Sequence, residues 1–169
     1  GEGFSDITAT YCDGFWNWNQ MDNPHVVRYS VPWMLFSCQI DALDYGEANF
    51  AFVNGLLFDL KIEGGVGILS DFPKFQDHLK KLAKIKKELV DSFATGDFED
   101  QDGLAISCSK DIVAKKYINV KSQKGCVVFA NTGDTKGEIT IEFKEKAETI
   151  EFIDFNGQRS VIKGTLEFK

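Results

Sequence analysis

The feature that most constrains the fold is a strict alternation of apolar and polar residues in the last third of the chain. The clearest run is ITIEFK at 139–144, in which every second residue is apolar. A period of two sends successive side chains to opposite faces of a β-strand. Turn-forming residues separate the segments that we predict as strands: 104–108, 112–120, 126–131, 138–143, 149–155 and 165–168. Short strands joined by hairpins, such as a type I′ turn at Asn156-Gly157, are typical of an antiparallel sheet or sandwich.

The middle of the chain, from about residue 34 to residue 95, has a helical pattern instead. Asp44 followed by Glu47 fits a capping box, and it begins an apolar run, NFAFVNGLLFDLKI, that we expect to be a buried helix. The second half of that run, LLFDLKI, is alternatively a short strand. A second helix begins near SDFPKF, carries apolar residues at helical spacing and ends before Gly96. Its lysines are expected to form a solvated outer face.

The first 33 residues are loop-like, and they mix carboxylates with aromatic rings. The residues concerned are Glu2, Asp6, Asp13 and Asp22, with Phe15, Trp16, Trp18, Tyr29 and Trp33. Acids that exchange protons beside flat apolar faces are what a sugar-processing cleft requires, although an ordinary loop-rich rim has a similar composition.

Charge and cysteine spacing exclude several classes of function. The chain has 19 basic and 26 acidic residues, a net charge of −7, and nucleic-acid binders normally carry a basic surface. We therefore expect no nucleic acid partner, and no apolar run is long enough to predict a membrane span. The four cysteines lack metal-ligand spacing, so we expect no metal and no cofactor. Buried free thiols are favoured, and disulfides Cys12–Cys38 or Cys108–Cys126 are the alternative.

A resemblance rests on the order of these features along the chain. The acidic, Trp-rich segment is followed by RYSVPW, the Phe-rich run, the helix at SDFPKF, the turn Gly96-Asp97-Phe98 and a β-rich tail containing VVFANTG. This order resembles the C-terminal end of a glycoside hydrolase with a (β/α)8 barrel and an appended β-sandwich. The resemblance is closest to α-galactosidase-like enzymes and related uncharacterised bacterial hydrolases.

The resemblance implies an α+β fold in which residues 1–100 form a partial barrel end with two or three helices. Residues 101–169 would form a small antiparallel β-sandwich, with 98–103 as the linker. A complete barrel takes about 250 residues, so the chain would be the last part of an enzyme and inactive alone. Its partners would be a carbohydrate substrate and either the remainder of the enzyme or another copy of the chain. The polar and acidic start of the sequence is what a mature secreted or periplasmic protein, or a fragment of a longer chain, would have, and a cytoplasmic location is the alternative.

Candidate catalytic residues come from the acidic opening segment. Glycoside hydrolysis uses two carboxyl groups, about 5–5.5 Å apart for retention and about 6.5–9.5 Å apart for inversion. Glu2, flanked by glycines that allow a close approach, is the first candidate, followed by Asp13 and Asp6. In polar loops, however, such acids more often remain solvated or cap helices.

Candidate substrate-binding residues are Trp16, Trp18 and Arg28. Two tryptophans separated by one residue lie on the same side of an extended segment, where they would stack on sugar rings, or else they belong to the core. Arg28 would bind hydroxyls or a carboxylate, although such an arginine more often pairs with an acid of the protein. A second hypothesis is a non-catalytic carbohydrate- or protein-binding module, in which Trp16, Trp18 and Trp33 bind by stacking.

Overall fold

A computed structural model of the chain describes residues 13–17, 24–32, 34–41, 43–61, 68–144, 150–162 and 166–168. The fold is of the mixed α+β class, as the sequence predicts, with parallel strands and helices first and antiparallel sheets afterwards. The chain divides into two compact units, Gly1–His78 and Leu79–Lys169. The predicted domain division after residue 100 differs from this boundary, which falls inside a helix.

The first unit contains a parallel sheet with helices between its strands. Its elements are β1 (Gly14–Asn17), α1 (Pro24–Ser30), β2 (Leu35–Asp41), α2 (Tyr45–Val53) and β3 (Leu57–Lys61). The strands lie in the order β1-β2-β3, and both neighbouring pairs are parallel. The prediction of loops up to residue 33 and of helix from residue 34 is therefore wrong for β1, α1 and β2. Residues 36–41, FSCQID, in fact alternate apolar and polar residues, as their burial does, so the sequence carried a signal for β2.

Among the described residues of the parallel sheet, one face is buried more deeply than the other. In β2 the side chains of Phe36, Cys38 and Ile40 are buried, whereas the intervening residues are half-buried or exposed. Phe36 stacks on Phe15 of β1, with ring centroids 6.2 Å apart. Helix α2 packs against β2 and β3 and contributes buried Ala48, Ala51, Phe52 and Val53. The helix-side face is therefore the core of this unit.

The predicted start of α2 is confirmed, and its predicted end is not. Asp44 Oδ1 accepts the Glu47 N–H at 2.8 Å, but the Glu47 carboxylate accepts the N–H of Asp41 instead of returning to Asp44. The helix ends at Val53, because Gly55 adopts a left-handed φ of 69°. The following residues form β3, which confirms the alternative prediction of a strand in LLFDLKI.

The lysine-rich helix α3 (Pro73–Glu88) follows a 3-10 turn (Leu69–Asp71) and leads into a π-helical turn (Val90–Ala94). Lys80, Lys84 and Lys87 are exposed, as a solvated face requires. Lys81 differs, because its ammonium lies 5.1 Å from the centre of the Phe155 ring and donates to Asn156 Oδ1 at 3.3 Å. Part of the basic face thus packs against the β-rich part of the second unit.

The second unit is an antiparallel sandwich. Its strands are β4 (Asp97–Asp100), β5 (Leu104–Cys108), β6 (Ile112–Asn119), β7 (Lys124–Asn131), β8 (Ile139–Phe143), β9 (Ile150–Ile153), β10 (Arg159–Ile162) and β11 (Leu166–Phe168). One sheet has the order β4-β6-β7, another has the order β11-β8-β5, and β9 pairs with β10. The core between the first two sheets contains Leu104, Ala114, Ile139 and Ile141, with Ile106, Ile112, Val127 and Phe129 packed around them. Four strands from two sheets share this core, which is the predicted β-sandwich.

Three local predictions in this unit are wrong. The expected linker at 98–103 contains most of β4, and Phe98 is buried with its ring 5.5 Å from that of Tyr117. The turn at Asn156-Gly157 is not type I′, since only Gly157 of the two has a positive φ. The third error is an omission: β10 was not predicted as a strand, although its sequence, RSVI, contains two apolar β-branched residues.

The cysteines within the described residues are free thiols. Cys38 is buried, Cys126 is partly buried and Cys108 is exposed. The alternative disulfide Cys108–Cys126 is therefore absent, and burial is confirmed fully only for Cys38. Cys12 lies outside the described residues.

Candidate functional site

The carboxyl ends of β2 and β3 bring together two oppositely charged side chains. Asp41 and Lys61 are register partners at the ends of these strands. Lys61 Nζ lies 3.4 Å from Asp41 Oδ1, and the side chains are 56% and 63% exposed, respectively. Ligand sites of parallel α/β proteins form at the carboxyl ends of strands, in barrels and in open sheets alike. This edge of the sheet is therefore the candidate site.

The backbone that carries Asp41 is held in a fixed geometry. Its N–H donates to Glu47 Oε2 at 3.0 Å, and its carbonyl accepts the Asp44 N–H at 3.0 Å. Leu43, which lies between Asp41 and Asp44, has a φ of 75°. This left-handed conformation is strained for a residue with a branched side chain. Strained backbone of this kind is concentrated at functional sites. The connection after β2 thus positions the carboxylate of Asp41.

The strand ends belong to a wider surface, which we name the open face. It consists of the side of the sheet opposite the buried core and carries Leu35, Ser37, Gln39 and Asp41 of β2 with Leu57, Asp59 and Lys61 of β3. Leu35 and Leu57, near the amino ends, are 57% and 45% exposed. Gln39 is the register partner of Asp59, next to the Asp41–Lys61 pair. The open face is therefore apolar near the amino ends and polar near the carboxyl ends.

The predicted catalytic acids do not gather at this edge among the described residues. Asp13 is exposed and directly precedes β1, where its carbonyl accepts the Leu35 N–H at 3.0 Å. It therefore lies at the amino end of the sheet, opposite the end where barrel enzymes carry their catalytic groups. Glu2 and Asp6 lie outside the described residues. The catalytic roles of Glu2, Asp6 and Asp13 stay predictions.

The predicted substrate-binding residues are described only in part. Trp16 lies in β1, where its backbone pairs with Ser37 of β2. Arg28 is half-buried in the last turn of α1. Trp18 lies outside the described residues. Their contacts with a substrate also stay predictions.

Sequence reasoning missed Asp41 and Lys61, although a signal was present. Each terminates a short run containing β-formers, LFSCQID and LFDLK, with a charged residue at the carboxyl end. Two such runs separated by one short helix indicate a βαβ unit, which places both strand ends on one edge. Because residues 34–95 were predicted to be helical, the common position of the two strand ends was not recognised.

A second cluster in the first unit has a packing role. The Tyr45 ring meets the rings of His78 and Phe75 edge-on, at centroid distances of 5.0 and 5.2 Å. His78 Nε2 lies 2.9 Å from Asn49 Oδ1. These contacts join the first turns of α2 to the beginning of α3.

Burial in the fold perturbs the protonation of the Cys126 thiol. Burial raises its pKa to about 11, and a hydrogen bond with the Ser92 side chain acts weakly in the opposite direction. A thiol in this state is protonated near neutral pH and is a poor nucleophile. It does not point to a catalytic cysteine.

Within the part of the chain that the structure describes, no group of three or more His, Cys, Asp or Glu side chains is arranged to hold a metal ion. None of the described helices is both long enough and apolar enough to cross a membrane. Comparison with known protein families, curated proteins and solved structures found no match to this chain. The resemblance to glycoside hydrolases therefore enters below as a proposal.

Proposed function

We propose that the chain is the C-terminal part of a glycoside hydrolase that acts on oligo- or polysaccharides by carboxylate acid/base chemistry. The observation that carries the proposal is the Asp41–Lys61 pair, at the carboxyl ends of adjacent parallel strands. Helices occupy the connections between the strands, as in a (β/α) barrel, and an antiparallel sandwich follows.

The chemistry of the edge suits a ligand rich in hydroxyl groups. A sugar hydroxyl both donates and accepts hydrogen bonds, so its site needs acceptors and donors side by side. Asp41 and Asp59 supply acceptors, Lys61 supplies a donor, and the Gln39 amide supplies both. These residues lie in two adjacent register rows of the open face.

Acid/base chemistry needs a second carboxyl group besides Asp41. In sequence, the connection after β1 carries Asp22 and the connection after β3 carries Glu63. In sequence, each of these acids follows a strand, β1 or β3, that runs parallel to β2. Asp22 and Glu63 thus join Glu2 and Asp6 as candidates for the second group.

The proposed partners are a carbohydrate substrate and further parallel strands, from the remainder of the enzyme or another copy of the chain. Among the described strands, β1 and β3 each have one neighbour in the sheet. A parallel sheet is normally covered on both faces, and its outermost strands are normally paired with further strands or shielded. We therefore expect the chain to be inactive by itself.

The test is hydrolysis of a panel of aryl glycosides, by the chain alone and by the whole gene product that contains it. Asp41→Asn should lower turnover by about a hundredfold or more, with an unchanged melting temperature, because a neutral amide cannot exchange the proton. The matched control is Asp91→Asn, which breaks the Lys124–Asp91 pair of 3.2 Å between side chains 64% and 62% exposed. That variant should retain full turnover.

Full turnover in Asp41→Asn would show that the carboxyl ends of β2 and β3 are not part of the active site. Saccharide binding that Asp41→Asn weakens, without turnover in any form of the protein, would support the alternative of a non-catalytic carbohydrate-binding module. Glu2→Gln tests the first candidate for the second carboxyl group in the same assay.

A further inference from the structure

We propose that Asn156 is a site of spontaneous deamidation, in which its side-chain amide becomes a carboxylate and ammonia is released. The chain contains two Asn-Gly pairs, Asn54-Gly55 and Asn156-Gly157. A glycine that follows asparagine leaves its backbone nitrogen sterically accessible, because it carries no Cβ. The surroundings of the two pairs favour reaction at the second one, and this modification does not depend on the proposed function.

The reaction needs only these two residues and water. The Gly157 nitrogen gives up its proton to solvent base and attacks Cγ of Asn156, and the new C–N bond closes a ring. The resulting oxyanion intermediate expels the side-chain nitrogen as ammonia, which leaves a cyclic imide. Water then opens the imide at either carbonyl, so the product is an aspartate or an isoaspartate whose backbone runs through the side-chain carbon.

The Asn156 side chain lies in solvent beside two lysines of α3. Asn156 is exposed in the turn between β9 and β10, and Lys81 Nζ donates to its Oδ1 at 3.3 Å. A methyl group built on Gly157 would lie 3.6 Å from Lys84 Nζ. Positive charge at these positions stabilises the oxyanion on Asn156 and the deprotonated nitrogen of Gly157, which are the two anionic species that the reaction forms.

The hydrogen bonds of the turn slow the reaction without preventing it. The Gly157 N–H donates to the Asp154 carbonyl at 2.9 Å, and the Asn156 N–H donates to Asp154 Oδ1 at 2.9 Å. The Gly157 nitrogen becomes a nucleophile only when the first of these bonds opens. An exposed turn that joins a two-stranded sheet opens at low free energy. We therefore expect deamidation in the native state, at a lower rate than in the unfolded chain.

Asn54-Gly55 provides a matched control within the same chain. Asn54 is completely buried, and its side-chain amide donates to the Phe50 carbonyl at 2.9 Å. Its Oδ1 has no hydrogen-bond partner among the described groups, so no lysine or arginine of that part of the chain donates to it. An oxyanion at this position would be buried without a partner, and solvent base is excluded. The native rate at Asn54 should therefore be lower by about a hundredfold or more.

Deamidation changes the contact between the hairpin and α3 in a way that depends on the product. An aspartate at this position faces Lys81 with a carboxylate, so the polar contact of 3.3 Å becomes an ion pair. An isoaspartate adds a methylene to the backbone of the turn and displaces the N–H that Asp154 Oδ1 accepts. Synthetic peptides with either residue identify the two products by their retention on a reversed-phase column.

The experiment is a timed incubation of the full chain at mildly alkaline pH, with and without guanidinium chloride, followed by mass spectrometry of tryptic peptides. The peptides that end at Arg159 and Lys61 report on the two sites separately. Without denaturant, deamidation should occur at Asn156 and not at Asn54, whereas the two sites should react at similar rates in the unfolded chain. A native rate at Asn156 no higher than that at Asn54 would overturn the proposal.

A set of variants tests the contribution of Lys81. Lys81→Met should lower the native rate at Asn156 by about fivefold at low salt, which is the effect of one charge at this distance in water. Lys81→Arg should retain most of the rate, and Lys87→Met, which removes an exposed lysine of the same helix, should leave it unchanged. Melting temperatures establish that each variant is folded. An unchanged or higher rate in Lys81→Met would overturn the assistance that we assign to this cation.

Discussion

Replacing Gly96 with alanine should disrupt the junction between the π-helical turn and β4. A methyl group built on Gly96 would lie 2.0 Å from the carbonyl oxygen of Ser92 and 3.3 Å from the carbonyl carbon of Ile118. Carbon–oxygen contacts below 3.0 Å are essentially never tolerated. The backbone must therefore move by about 1 Å or more, at a cost typical of overpacking.

The turn has little freedom to make that movement. Its Asp91 carbonyl accepts the Asn119 side-chain amide at 2.7 Å, and its Val90 carbonyl accepts the Thr95 N–H at 3.0 Å. Because the first bond ties the turn to β6 and the second closes the turn itself, we place the cost near the upper end of the usual range, at about 3 kcal/mol. At about 2–4 °C for each kcal/mol in a chain of this length, the melting temperature should fall by about 6–12 °C.

The assay is thermal and urea unfolding followed by circular dichroism, with Gly125→Ala as the control. In β7 an added methyl would meet the Tyr117 carbonyl oxygen at 3.3 Å and Ile118 Cγ1 at 3.4 Å, so only slight adjustment is needed. That variant should change the free energy of unfolding by less than about 1 kcal/mol. A Gly96→Ala protein that melts within about 2 °C of the parent would refute the reasoning.

Three further predictions concern the cores and a helix end. Asp44→Ala removes the acceptor of the Glu47 N–H and should cost about 1 kcal/mol in urea unfolding, whereas Asp44→Asn should retain most of that stability. Phe93→Ala empties a buried site whose ring lies 4.8 Å from that of Tyr117, and it should cost about 3–5 kcal/mol; a smaller loss would mean that the site collapses around the cavity. Burial raises the pKa of Cys126 from 9.0 to about 11, so its contribution to stability is complete below pH 9 and is lost as the pH rises to 11. Urea unfolding should therefore become easier across that range, and Cys126→Ala should reduce the slope; an equal slope in both proteins would contradict the assignment.

The sequence predicts the second unit well because local patterns determine it. In β8 the apolar Ile139 and Ile141 are buried, as a period of two requires, and turn residues limit the strands to within a few positions of their observed ends. The errors there have local causes. The prediction of a linker followed from the acidic sequence DFED, yet Phe98 packs against Tyr117 and Asp100 pairs with Lys115 of β6.

The first unit is harder to predict because its pairing is not local. β2 and β3 are short, and the helix between them is itself apolar, so one apolar composition covers all three elements. Periodicity cannot separate a short buried strand from a buried helix segment. The dipeptide Asn54-Gly55 marks the division between α2 and β3, since Asn54 caps the helix and Gly55 is left-handed, but two residues inside a long apolar run did not outweigh the helical pattern.

The distinction between local sequence patterns and non-local strand pairing also applies to the candidate site. The opening 33 residues attract attention by composition, but composition does not say at which end of a strand a residue lies. Asp13 lies just before β1 and Asp41 is the last residue of β2, so parallel pairing places them at opposite ends of one sheet. The carboxyl ends of β2 and β3 in turn bring Asp41 and Lys61 together, although the two are distant in sequence. Strand direction, rather than local density of acids, therefore selects Asp41 as the carboxylate to test first.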